Sequence, residues 1–220
     1  MSNLATPTLV IDLDGTLVDS LPAIARALNA VLAARGFAPL APAAVARLVG
    51  DGVAVLLSRA FALYGAEADA PALAAFRADY DADPITGCAP FPGAVAALAA
   101  LADAGWRFAL CTNKPEQPAR RMITAFGLAE RFATIGGGDS FATRKPDPGH
   151  LLATLAAAGG APGAAVMLGD HANDIQAARG AGVPAIFAAW GYGGAEMAAG
   201  SAAIAPDFGA VPALLGRILR

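Results

Sequence analysis

From Ala94 to Leu219 the chain alternates helical stretches with short apolar runs, and this alternation constrains the fold more than any other feature. Helical spacing covers Ala94 to Ala104, Pro115 to Phe126, Pro148 to Ala158, Asp174 to Ala181 and Val211 to Leu219. Between these lie strand-like runs at Arg107 to Cys111, Phe132 to Ile135, Ala165 to Leu168, Val183 to Ala188 and Ala202 to Ile204. A separate apolar run, Leu9 to Ile11, belongs to a first strand over residues 8–12. Parallel strands need crossover connections, and intervening helices supply them. The expected fold class is therefore α/β, a Rossmann-like parallel sheet with helices on both faces and ligands at the carboxyl ends of its strands.

One segment breaks the alternation. From Ser20 to about Pro84 the pattern is helical throughout. Leu21, Ile24, Ala25, Leu28, Val31 and Leu32 repeat at helical spacing, and Gly36 is a natural stop. A short helix is expected at Ala43 to Val49, another after Gly50-Asp51-Gly52, and a last one from Asp69-Ala70-Pro71 to about Tyr80. The Pro/Gly-rich stretch from Asp83 to Gly93 then reads as a return linker, forming a two-stranded hinge with the segment around Thr16 to Asp19. These signals divide the chain into a core of residues 1–17 and 88–220 and an inserted helical unit of residues 18–87.

Charge and composition exclude several function classes. Net charge is −3, with no basic block, so nucleic acid is not an expected partner. Leu151 to Gly169 is uncharged and long enough to suggest a membrane span, but Gly159, Gly160, Pro162 and Gly163 break it as a helix–loop–strand unit would. No membrane association is expected. Two cysteines, Cys88 and Cys111, do not make a disulfide framework and fit a reducing cytoplasm. The N-terminus lacks the basic start of a secretory leader, so a cytoplasmic location is expected.

The chemistry concentrates at strand ends. The first strand runs into Asp12-Leu13-Asp14-Gly15-Thr16, two carboxylates one residue apart that can project into one pocket. Like charges this close need a cation, and the pair suits a nucleophile beside an acid/base with a divalent metal. The second core strand ends in Thr112-Asn113-Lys114-Pro115, where a hydroxyl and helix-start N–H groups could hold a phosphoryl oxygen. Lys145-Pro146 offers a fixed cation, which would stabilise charge on a phosphoryl group and keep Asp12 ionised. Gly169-Asp170-His171-Ala172-Asn173-Asp174 follows another apolar run with carboxylates of the hard-oxygen kind that suit Mg²⁺. Each motif alone also fits a helix cap or surface lysine. All four in this order, each beside an expected strand end, point to a site.

These four segments resemble the motifs of the haloacid dehalogenase-like hydrolase superfamily, and the chain is most similar to its phosphoglycolate phosphatase-like subgroup. The resemblance implies that the helical insertion is a small cap domain. It implies an Asp12 nucleophile forming an aspartyl phosphate, an Asp14 acid/base, and phosphate binding by Thr112 with Asn113 beside it. It selects Lys145 over Lys114 as the catalytic cation. It implies Mg²⁺ held by Asp12, Asp170 and the backbone carbonyl of Asp14, with Asp174 bonding to a metal-bound water or to Lys145. The implied activity is Mg²⁺-dependent hydrolysis of a small phosphate monoester, 2-phosphoglycolate above others.

Sugar-phosphate phosphatase and pyrophosphatase activities of the same family stay open, as does a β-phosphoglucomutase-like phosphosugar mutase; a non-catalytic scaffold ranks last. A haloacid dehalogenase is disfavoured, because that branch lacks an acid at the position of Asp14. Cap residues Arg47, Gly50, Asp51 and Gly52 are candidates for substrate contact, with Arg47 able to fork onto a carboxylate, although a solvated helix arginine fits it equally. The expected partner is a small phosphorylated metabolite, and the expected assembly a monomer or homodimer. His150 and Trp106 read as structural, and His171 as a non-catalytic neighbour of the site. Trp190-Gly191-Tyr192-Gly193 reads as a structural loop at the pocket's edge.

Overall fold

The computed structural model describes residues 6–219. Strand β1 (Thr8–Ile11) lies in the middle of a six-stranded parallel sheet and is buried along its whole length. Its neighbours are β4 (Arg107–Cys111) on one side and β6 (Ala165–Gly169) on the other. Beyond them lie β5 (Phe132–Gly136) on one flank and β7 (Ala185–Ala188) then β8 (Ala203–Ala205) on the other, giving the order β5-β4-β1-β6-β7-β8. The chain builds outward first to one side of β1 and then to the other. The carboxyl end of β1 therefore opens into the crevice where ligands bind in such sheets.

Alternation along β1 explains the layers. Leu9 and Ile11 pack with α5 (Ala94–Asp103), α6 (Glu116–Ala125) and α9 (Val211–Ile218) through Leu98, Met122 and Leu215. Val10 points the other way, into a cluster with Leu151 and Leu155 of α7 (Pro148–Ala157) and Ile175 of α8 (Ala172–Gly180). A parallel sheet covered on both faces requires apolar side chains on both, which is why these strands read as continuous apolar runs.

A second apolar cluster belongs to the inserted helices, α1 (Leu21–Ala34), α2 (Pro42–Ala46), α3 (Val53–Ala62) and α4 (Ala70–Ala82). Its largest members include Leu28, Leu32, Leu57 and Phe61. Two short strands, β2 (Val18–Asp19) and β3 (Ala89–Pro90), pair antiparallel where the chain leaves and rejoins the sheet unit. Residues 1–5 and Arg220, assigned to the core from sequence, lie outside the described residues.

Element boundaries differ from expectation in instructive places. Pro115 precedes α6 instead of opening it. Helix α8 begins at Ala172, before the expected Asp174, because the Asp174 carboxylate accepts from the His171 N–H at 3.0 Å and so caps a helix start further upstream. Strand β7 begins at Ala185, since Pro184 has no N–H to give a ladder. The uncharged stretch from Leu151 to Gly169 resolves into most of α7, a turn and β6, and no described helix is long and apolar enough to cross a membrane.

His150 is fully buried in α7, with Nε2 3.1 Å from the Gly137 carbonyl and no partner at Nδ1. Burial, helped by the nearby Lys145 charge, pulls its pKa from 6.5 down to about 4. The folded state thus holds the imidazole neutral while the unfolded chain protonates it below pH 6.5. This stability is complete above pH 6.5 and is lost as pH falls toward 4. Denaturant titrations across that window should show His150→Phe losing about 3 kcal/mol less than the wild type. Equal losses would assign the acid sensitivity elsewhere.

Candidate active site

The β1 ladder continues one bond past the strand, with Asp12 N donating to the Leu168 carbonyl at 2.9 Å. This bond fixes where Asp12 stands. Asp12, Asp14, Thr112, Asn113 and Lys114 form the floor of a cavity of about 390 Å³. Its roof comes from the inserted helices, with Ile24, Val49, Gly52, Val53, Leu56, Phe76 and Tyr80, and its rim carries Arg77, Asp81, Gln117, Asp139 and Arg144. An apolar roof over a charged floor strengthens the electrostatic contacts made inside.

Behind Asp12 lies a buried charge cluster. Lys145 Nζ stands 2.8 Å from Asp12 Oδ1 and 2.6 Å from Asp174 Oδ1, and donates to the Cys111 carbonyl at 2.6 Å. The contact with Asp12 Oδ1 is a buried ion pair. Burial pushes the Asp12 carboxyl up to about 7, against the pull of Lys145 and with the repulsion of Asp174 and Asp170. Asp174 is raised for the same reasons, burial first. Burial disfavours the Lys145 ammonium, but Asp12 and Asp174 outweigh it and hold its pKa above the ordinary lysine value.

Asp170 completes the cluster. It is fully buried and accepts from Thr16 Oγ1 at 2.9 Å and from the Tyr192 N–H at 2.8 Å, with His171 Nδ1 3.3 Å away. Asp12, Asp170 and Asp174 each offer an oxygen within 4.8 Å of the others. Three buried carboxylates lie together while the one lysine among them pairs with Asp12 and Asp174 only, an arrangement that a divalent cation would balance, and all three donors are hard oxygens. The residues present therefore fit a divalent metal. Asp174 pairs with Lys145, one of the two contacts the resemblance implied for it, and also offers an oxygen to this cluster.

The second carboxylate has its own lysine. Lys114 Nζ lies 2.9 and 3.1 Å from the two oxygens of Asp14, and Ser20 Oγ donates to Asp14 at 2.5 Å. Lys114 and Lys145 are thus not rivals for one role; each serves a different aspartate. The sequence reading set Lys145 beside Asp12, where it is found, but took Lys114 as a competitor for that role and did not anticipate its pairing with Asp14. It also left Tyr80 and Phe76 as ordinary helix residues, though they roof the cavity.

Several expectations need correction. Arg47 is exposed and lines a separate depression with Asp51, Arg59 and His171, away from Asp12 and Asp14, so it is not placed to fork onto a substrate in the cavity. Gly52 does line the cavity, where an added Cβ would approach Arg144 Nη1 at 3.5 Å. Asn113 spends its side-chain N–H groups on the carbonyls of Gly50 at 3.1 Å and Lys145 at 3.0 Å, so that amide orients other residues instead of binding a phosphoryl oxygen. Asn173 donates to the same Gly50 carbonyl at 2.9 Å, and the two asparagines tie the α2–α3 loop to the sheet unit. The N–H at the start of α6 is likewise taken, Glu116 N donating to Asp139 at 2.7 Å. Thr112 lines the cavity; its Oγ1 accepts from Lys114 N at 3.2 Å, which leaves its hydrogen to donate. The Trp190–Gly193 loop supports the site from outside: Tyr192 holds Asp170 through its N–H and receives the N–H groups of Ser20 and Leu21 at its hydroxyl.

Comparison with known proteins agrees with this geometry. Residues 6–182 match the family model described as haloacid dehalogenase-like hydrolase. The chain is 45% identical over 217 residues to a phosphoglycolate phosphatase of Rhodospirillum rubrum, covering 94% of this chain and 90% of the relative. It is 43% identical to a phosphoglycolate phosphatase of Agrobacterium fabrum, covering 85% and 82% of the two chains. Among solved structures, a predicted phosphoglycolate phosphatase from Haemophilus somnus superposes with a TM-score of 0.86 at 28% identity, covering 94% of this chain and 97% of the other. The chain is a phosphoric monoester hydrolase and belongs to the haloacid dehalogenase-like hydrolase family.

Proposed function

We propose that this hydrolase cleaves 2-phosphoglycolate to glycolate and phosphate through an aspartyl phosphate on Asp12, with Mg²⁺ as its metal. The observation that carries the mechanism is the division of labour between the two aspartates. Asp12 sits with the buried Lys145 and the metal-fitting cluster, whereas Asp14 is held on the cavity side by Lys114 and Ser20. Support for the substrate comes from the relatives named above and from the cavity's size, which suits a small ester.

In this reading the Asp12 carboxylate attacks phosphorus while the bond to the leaving oxygen breaks and Asp14 gives that oxygen a proton. Asp14 then takes a proton from a water that attacks phosphorus and releases Asp12. Lys145 holds Asp12 in place and offsets charge gathering on the phosphoryl group. Thr112 donates to a phosphoryl oxygen. Asp12, Asp170 and the Asp14 carbonyl would hold Mg²⁺, with Asp174 beside them, and the bound ion would supply further neutralisation of the phosphoryl oxygens. Residues 18–87 act as the cap that excludes water, tied down through Gly50 by Asn113 and Asn173. The protein works in the cytoplasm as a monomer or homodimer; its free cysteines, Cys111 buried and Cys88 partly so, accord with that compartment.

Phosphate release from a panel of esters, with and without Mg²⁺, tests this reading. We expect metal-dependent turnover with 2-phosphoglycolate ranked first by kcat/KM. A sugar phosphate, nucleotide or pyrophosphate preferred by a wide margin would overturn the substrate assignment, and hexose phosphate isomerisation without phosphate release would replace hydrolysis with a mutase reaction.

A further inference from the structure

Resting on 2-phosphoglycolate as the substrate, we propose that Lys114, closed over by Tyr80, recognises the carboxylate of the leaving glycolate. In that ester a single methylene separates the leaving oxygen from the carboxylate. Whatever binds the carboxylate must therefore stand close to the acid that meets the leaving oxygen. Lys114 does so, because its Nζ touches both oxygens of Asp14. Its side chain is only 6% exposed, whereas the other cations lining the cavity, Arg77 and Arg144, are exposed at the rim. A buried ammonium facing a small cavity is a strong selector for an anion, since an uncharged ligand would leave it without the extra partner.

Two features make this a built subsite. An ammonium has three donors, Asp14 takes at most two of them, and Ser20 Oγ gives Asp14 an independent donor. Lys114 can thus be shared between Asp14 and a ligand. Tyr80 provides the second feature. Its ring lies 4.5 Å from Lys114 Nζ, a cation–π contact, and its hydroxyl is buried without a hydrogen-bond partner while the residue lines the same cavity. A buried hydroxyl in that position has a donor to give to a carboxylate oxygen. Lys114 comes from the loop after β4 and Tyr80 from α4, so the subsite exists only where the helices lie over the sheet unit.

The test compares kcat/KM for 2-phosphoglycolate and ethyl phosphate in the wild type, Lys114→Met and Tyr80→Phe. Ethyl phosphate keeps the phosphoryl group and leaving oxygen but lacks the carboxylate. The wild type should prefer 2-phosphoglycolate by roughly a hundredfold or more. Lys114→Met should lose at least about tenfold more on 2-phosphoglycolate than on ethyl phosphate. Tyr80→Phe should narrow the preference by about threefold to tenfold, through KM more than kcat. Equal proportional losses on both esters in Lys114→Met would make that lysine a positioning group for Asp14 and overturn the proposal. If Lys114→Met does not fold, an unaltered preference in Tyr80→Phe overturns it instead. A wild type without any preference is a different failure: it removes the substrate reading itself.

Discussion

Asp12→Asn should lose phosphatase turnover by at least about a thousandfold and yet melt at a higher temperature than the wild type when both are free of metal. The two effects have one origin. Asp12 is buried beside Asp170 and Asp174, and burial lifts its pKa from 3.8 to about 7. A carboxyl raised in the folded state binds its proton more tightly there than in the unfolded chain. Folded stability therefore falls as pH rises from about 4 through 7, and above pH 7 the ionised Asp12 costs the metal-free protein on the order of 2–4 kcal/mol. Asparagine keeps the shape without that charge. Added divalent metal should raise the melting temperature of the wild type and raise that of Asp12→Asn much less. An inactive variant that is also less stable than the metal-free wild type would mean that Asp12 is held mainly by its lysine.

Lys145→Met should reverse that relation and produce the largest destabilisation in the site. Its side chain is 1% exposed, and among the described residues it is the only lysine or arginine paired with Asp12 and Asp174. Removing one partner from a buried ionic cluster leaves charge without compensation, which costs about 3–5 kcal/mol. Turnover should fall by at least about a thousandfold as well, because the attacking carboxylate loses its fixed neighbour. The stability loss should be strongly non-additive with Asp12→Asn, the double variant recovering part of what Lys145→Met loses. Denaturant melts of the four proteins in the cycle measure this directly. Additive losses would show that Lys145 stabilises the fold through its bond to the Cys111 carbonyl rather than through the carboxylates.

Much of this was legible in the sequence, for reasons that differ by element. Strands β1, β4 and β6 were readable because a sheet covered on both faces demands unbroken apolar runs. Asp12 and Asp170 were readable because each directly follows such a run. The choice of Lys145 over Lys114 needed the family resemblance, since the two look alike along the chain; that Lys114 meets Asp14 shows only in the folded chain. The side of the inserted helices was least legible. Arg47 was a reasonable carboxylate partner by charge alone, but the turn after α2 leaves it exposed outside the cavity. Tyr80 was read only as the end of a helix; it is buried, and its ring lies against Lys114, 34 positions away, a contact that no local pattern announces. The family resemblance set Asn113 beside Thr112 at the phosphate, whereas its side-chain donors go to two backbone carbonyls from distant segments.

Acid-quenched rapid mixing with 2-phosphoglycolate labelled at phosphorus, followed by peptide mapping, tests most directly whether Asp12 carries the phosphoryl group. An Asp14→Asn variant should serve beside the wild type, because loss of the base slows release of phosphate from the enzyme. Label should appear on the peptide that carries Asp12, accumulate further in Asp14→Asn and be absent from Asp12→Asn. Label on any other residue, or phosphate release by Asp12→Asn at the wild-type rate, would contradict it.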